Sequence, residues 1–254
     1  MVRTLMSQTV STQPVGSTRR FGPSVRAVLV ATGLVVAAVL LSVVVGVAIV
    51  LPLIFGGFEA TSGVVLVASL FATQLSFAVV GFLYLWRRDW SVSFAAPTRR
   101  DLTWVVGGVV ATVVAAIGLL ALSEFLGIEP VESVVEAPVL ANPTLLLLLA
   151  GLSLVLVAPV EEFLFRGVVQ GRLRRSLGAP AAIGVASLLF ASIHLLNLVA
   201  VGVGAIVMVA VIFVVGAVLG VAYERTENLL VPILIHGAYN TTLFVISYVS
   251  LGGF

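Results

Sequence analysis

Ala158-Pro159-Val160-Glu161-Glu162-Phe163-Leu164-Phe165-Arg166-Gly167 puts two adjacent carboxylates and a guanidinium at the end of an apolar run that begins near Leu145. In hydrocarbon an ionised side chain costs on the order of 3 kcal/mol even on lenient insertion scales. Three such groups held together in an apolar run are kept for structure or for chemistry, and the rest of the chain shows which.

The surroundings of this stretch are lipid. The 254-residue chain is 61% hydrophobic and 9% charged, and its mean hydropathy is +1.25. Soluble domains carry roughly 25% charged residues. The sequence pI of about 9.5 reflects a formal excess of only +2, carried by arginines clustered beside apolar segments, so it signals membrane orientation and not a nucleic-acid partner. With no cysteine in the chain, disulfides, thiol catalysis and thiolate metal sites are excluded.

Residues 1–24 are rich in Ser, Thr, Gln, Pro and Gly and read as a disordered cytoplasmic tail. Residues 25–254 then read as one all-α, polytopic transmembrane helical domain. Seven apolar stretches, at about 26–55, 62–86, 103–122, 144–165, 180–198, 199–222 and 229–251, approach or exceed the roughly 20 residues of a spanning helix. Runs this long and without alternation are helices, since lipid leaves only helices or closed barrels as options. Gly202, Gly204, Gly216 and Gly220 in the sixth stretch suit close helix contacts.

Arginine then sets the orientation. Arg19, Arg20 and Arg26 precede the first span, Arg87, Arg88, Arg99 and Arg100 follow the second, Arg172, Arg174 and Arg175 follow the fourth, and Arg225 follows the sixth. All fall on one side if the N terminus is cytoplasmic. The other side receives Glu59, Glu124, Glu129, Glu132 and Glu136 without an arginine. On this reading the protein is a multi-pass cell-membrane protein and Glu161 lies near the cytoplasmic end of its helix. The longest connection, Ser123 to Pro143, reads as a solvated linker with a short surface helix over Val131–Val135.

Few ionisable residues remain inside the apolar segments: Glu161, Glu162 and Arg166 in the fourth, His194 in the fifth and His236 in the seventh. Scattered through lipid they would be costly, so the economical arrangement gathers them in one polar pocket. Glu162 and Arg166 are four apart with the acid first, the favourable helical order for an ion pair. Glu161 is turned about 100° from Glu162 and points elsewhere. His236 and Asn240 share a helix face, and Pro232 one turn earlier would free a carbonyl or kink the helix.

A carboxylate beside an imidazole can activate water for attack on a carbonyl. His236 and the Asn240 amide could donate to the resulting oxyanion. Alternatively, Glu161, His194 and His236 could hold zinc with a position left for water. The residues alone do not separate these two routes.

At these positions the sequence resembles the CAAX prenyl endopeptidase and bacteriocin-processing family of intramembrane proteases, also called CPBP or Abi proteins. The likeness rests on three ordered motifs: Glu161-Glu162-x-x-x-Arg166, Phe190-x-x-x-His194 and His236-x-x-x-Asn240, covering roughly residues 144–245. It implies Glu161 as general base with His194 beside it, Glu162 and Arg166 ordering the site, and His236 and Asn240 stabilising the oxyanion. It further implies cleavage of a membrane-associated or lipidated peptide, CAAX-type in the eukaryotic relatives, at the cytoplasmic side, by glutamate-activated water without metal, with zinc as the alternative cofactor. Membrane lipid and such a peptide are the expected partners. The competing expectation is a non-catalytic membrane immunity or scaffold protein that keeps the polar cluster for structure.

Overall fold

Among the described residues seven helices are long and apolar enough to cross a membrane. They are Pro23–Phe55, Gly63–Arg88, Arg99–Phe125, Leu145–Arg174, Ala179–Asn197, Val203–Thr226 and Leu230–Ser250, called here the first to seventh spans. The computed structural model describes residues 22–129, 131–200 and 202–252. The tail read over residues 1–24 lies outside the described residues except at its end, where Pro23 already opens the first span. Proline suits that position, because its missing N–H would have no intrahelical partner there. Among the described residues no strand forms beyond one isolated bridge, Ser133 to Leu198.

The spans alternate in direction, so their connections collect at two ends. At the arginine-bearing end, Ser24 Oγ donates to Ser176 O at 3.1 Å. Arg174 Nε meets Glu224 Oε2 at 2.9 Å, and the Arg175 guanidinium lies 3.3 Å from the centre of the Trp90 ring. Asn228 clamps the connection between the second and third spans, accepting from Ala95 N at 3.2 Å and donating to Ala95 O at 3.0 Å. Thr98 and Asp101 then start the third span with a reciprocal capping box, which satisfies two orphan donors of the first turn.

The structure differs from the sequence reading at the end of the fourth span and in the long connection before it. The fourth span does not stop near residue 165 but continues to Arg174, because no proline interrupts Arg166–Leu173 and Arg166 and Gln170 find internal partners. Glu161 is therefore near the middle of its helix and not at an end. Pro232 falls in the first turn of the seventh span, where N–H groups lack intrahelical acceptors. Val131–Val135 is not helical. Its backbone is taken up by the fifth-to-sixth connection, Val134 N donating to Asn197 O at 2.9 Å and Val199 N to Glu132 O at 3.0 Å.

The short helix forms instead at Glu136–Ala141. Its Val139 packs with Leu146 and Leu149 against Leu66, Leu70, Phe244 and Tyr248. The long connection is thus docked, not a free linker. Of the four glycines noted in the sixth span, Gly216 and Gly220 do sit at a close helix contact. A Cβ on Gly216 would meet Ser187 at 3.2 Å and Phe190 at 3.3 Å, and one on Gly220 would meet Gln170 at 2.9 Å. Gly204 abuts Glu129 and Val131, and Gly202 meets nothing.

Candidate active site

The fourth span changes winding around its acidic pair. Ser153–Val157 and Phe163–Gln170 form wide i→i+5 turns, with an α-helical Ala158–Glu162 between them. Pro159 cannot donate to the preceding turn and its ring presses on it, which accounts for the widening just before it. Such turns recur at functional sites because they re-aim side chains.

The two carboxylates are served by different helices. Glu162, fully buried, accepts on Oε1 from Arg166 Nη1 at 2.9 Å and from His236 Nδ1 at 2.8 Å. Arg166 also donates to Gly216 O at 3.0 Å and lies 4.7 Å from the centre of the Phe190 ring. Glu161 turns toward the second span, where Gln74 Nε2 donates to its Oε1 at 3.1 Å. Beside a carboxylate the Gln74 amide must present its NH₂ and not its oxygen, so this bond has one direction. Among the described residues, Glu161 Oε2, Glu162 Oε2 and Gln74 Oε1 are buried with no hydrogen-bond partner.

Phe190 ties the site together. Its ring meets His194 edge-on at 4.8 Å and His236 edge-on at 5.8 Å, besides carrying Arg166. The two histidines therefore share one wall. His194 ends the helical part of the fifth span and begins a tight turn, His194–Asn197. Its Nδ1 lies 2.8 Å from Phe190 O, an oxygen that can only accept, so Nδ1 carries the proton and Nε2 is the free nitrogen. His236 likewise has Nδ1 engaged, leaving Nε2 free. Asn240 Nδ2 reaches Ser153 Oγ at a long 3.4 Å.

Glu161, His194, His236 and Asn240 line one cavity of about 900 Å³, whose remaining wall is largely apolar. Two carboxylates and one guanidinium leave one negative charge in the cluster, so a single proton on Glu161 or an imidazole makes it neutral. Among the described residues no three His, Cys, Asp or Glu side chains group as a metal-ligand set. Glu162 already occupies His236 Nδ1. No step below passes through a metal.

Sequence reasoning missed Gln74 and Gln170 because it counted only ionisable groups. Gln74 is the one amide in an otherwise apolar second span. Gln170 continues the spacing of four set by Glu162 and Arg166, and donates to Gly220 O at 3.2 Å and Glu224 Oε1 at 3.0 Å. Both would have been found by asking of every buried amide where its hydrogen bonds go.

A seven-span helical protein with a buried Glu–Arg–His cluster facing a cavity is an integral multi-pass membrane protein with a candidate hydrolytic site. Residues 143–242 match the family described as type II CAAX prenyl endopeptidase Rce1-like, and the likeness to CAAX prenyl endopeptidases is shown over the helices that bear the three motifs. The match is a likeness of the fourth to seventh spans to CAAX-type endopeptidases. The matched segment is less than half of the chain and leaves out Gln74. No curated protein and no solved structure matches the chain.

Proposed function

We propose that this protein is an intramembrane endopeptidase that hydrolyses a peptide bond of a membrane-associated substrate with water activated by Glu161. The observation that carries the reading is the bare, buried Oε2 of Glu161 on a cavity shared with both imidazoles. A buried acceptor without a partner costs about 1–3 kcal/mol, and a water or substrate proton supplies what it lacks.

Glu161 Oε2 takes a proton from water as the water oxygen bonds to the scissile carbonyl carbon. The oxyanion that forms faces the Asn240 amide, which donates, and His236, whose Nε2 donates once the ring also carries a proton there while Nδ1 stays on Glu162; preorganised donors of this kind are among the largest contributions to catalysis. The C–N bond then breaks and the proton passes to the departing amine, directly or through His194. The products are one carboxylate end and one amine end. Gln74 holds one oxygen of Glu161, which leaves the other for the proton. Glu162, neutralised by Arg166, holds His236 by Nδ1 and so aims its Nε2.

A farnesylated peptide ending in a Cys-aliphatic-aliphatic-X sequence, reconstituted with the protein in liposomes, tests this. Glu161→Gln and His194→Ala are expected to lower kcat by about 10²–10⁴, the usual range for a positioned acid or base, with folded yield unchanged. Cleavage is expected to survive dialysis against a chelator. Wild-type turnover by Glu161→Gln would remove the mechanism, and loss of stability without any hydrolysis to lose would favour the non-catalytic role.

A further inference from the structure

The cavity has a direction. Toward the arginine-bearing end, the acidic pair is sealed by the second half of the fourth span, where Leu164, Phe165, Val168, Val169 and Leu173 are all fully buried. Gln170 and Glu224 close the same route with hydrogen bonds. Toward the opposite end the walls are the far halves of the helices. They include Val47 and Ile54 of the first span, Leu66 of the second and Phe244 of the seventh, and the strap Ser133–Val135 crosses the mouth.

The first span shows the same polarity. Its buried residues are Ala27, Ala31, Val35 and Ala38, and none follows. Beyond that point Val43 and Val47 both line the cavity and face out, each 56% exposed. The cavity is therefore open sideways to lipid in this half of the bundle only.

Charge says which half this is. Among the described residues outside the site, every arginine lies at the sealed end: Arg26, Arg87, Arg88, Arg99, Arg100, Arg172, Arg174, Arg175 and Arg225. The open end carries Glu59, Glu124, Glu129, Glu132 and Glu136, all exposed, and no arginine. Arginine-rich connections stay on the cytoplasmic side of a membrane.

From these observations we infer that the site opens away from the cytoplasm, and that its substrates are membrane-anchored peptides whose scissile bond lies in the non-cytoplasmic half of the bilayer. This reverses the side expected from the sequence, and it rests on the endopeptidase reading above for what happens to the peptide once bound. The docked connection 131–141 then has a place in function, as the strap past which the substrate enters.

The chain has no cysteine, so single-cysteine variants give a direct test. Val134→Cys sits at the mouth, at a position 48% exposed, and Ser91→Cys sits in the exposed connection at the arginine end. With a membrane-impermeant maleimide on intact cells, Val134→Cys is expected to react at once and Ser91→Cys only after permeabilisation. In liposomes with the farnesylated peptide, the same label on Val134→Cys is expected to lower cleavage by about 10²-fold, the scale of loss when a substrate is kept from its reacting position. Label on Ser91→Cys should leave cleavage unchanged. Should Val134→Cys fold poorly, Leu196→Cys, at a position 65% exposed on the same cavity, replaces it.

Labelling of Ser91→Cys before permeabilisation would overturn the orientation. Inhibition through Ser91→Cys but not through the mouth would overturn the route. Full cleavage by Glu161→Gln would defeat the catalytic reading alone, because the labelling in cells reports the side without any hydrolysis.

Discussion

The first and fourth spans invert the rule that holds in water. The first is the more apolar of the two, yet only 11% of its most apolar stretch is buried, against 39% in the fourth. The fourth span carries Glu161, Glu162, Arg166 and Gln170, and all four are buried. In water a hydrophobic stripe marks the core. In a bilayer the tails are as apolar as leucine, so hydrophobicity marks the outside. Polar side chains then mark the interior, because only there can they find partners. The contrast separates a wall, which the first span supplies, from the machinery, which the fourth carries.

Perturbing Glu162 strains that contrast most. Glu162→Gln removes the charge that Arg166 and His236 share, and breaking a buried pair costs about 3–5 kcal/mol. Thermal unfolding in detergent should show the loss and cleavage should fall with it; a variant of wild-type stability would mean that the buried cluster is not a structural unit. Gln74→Met keeps the shape of the side chain and removes its bond to Glu161. The expected outcome is a 10–100-fold lower kcat with little change in KM, by analogy with groups that orient metal ligands. An unchanged kcat would reduce Gln74 to filler. On the wall, Val44 is 65% exposed, and Val44→Ala should change stability by less than about 0.5 kcal/mol, as for other sites without buried partners. A larger change would place a contact on the first span where the structure has none.

Much of this was legible in the chain. The seven spans, and the fact that the sparse buried charges converge, follow from the cost of charge in lipid, which is a local property of each segment. The end of the fourth span was not legible, because Arg166 looks like a stop until Gly216 O and Glu162 are seen to satisfy it. Pro232 stands in a first turn, where a missing N–H has no intrahelical acceptor to lose, and that depends on where the helix starts, a matter of two or three residues. Val131–Val135 was misread because backbone pairing with a segment more than sixty residues away outweighed local helical preference.

The sequence alone determined that this is a helical membrane protein with a Glu–Arg–His cluster and that arginine favours one side, since these depend on residue type and spacing. Which carboxylate each partner serves, that Gln74 takes part, and toward which end the cavity opens were decided only by the tertiary structure. The physical reason is that a hydrogen bond or a void depends on several helices meeting in one place, and no single segment carries that information.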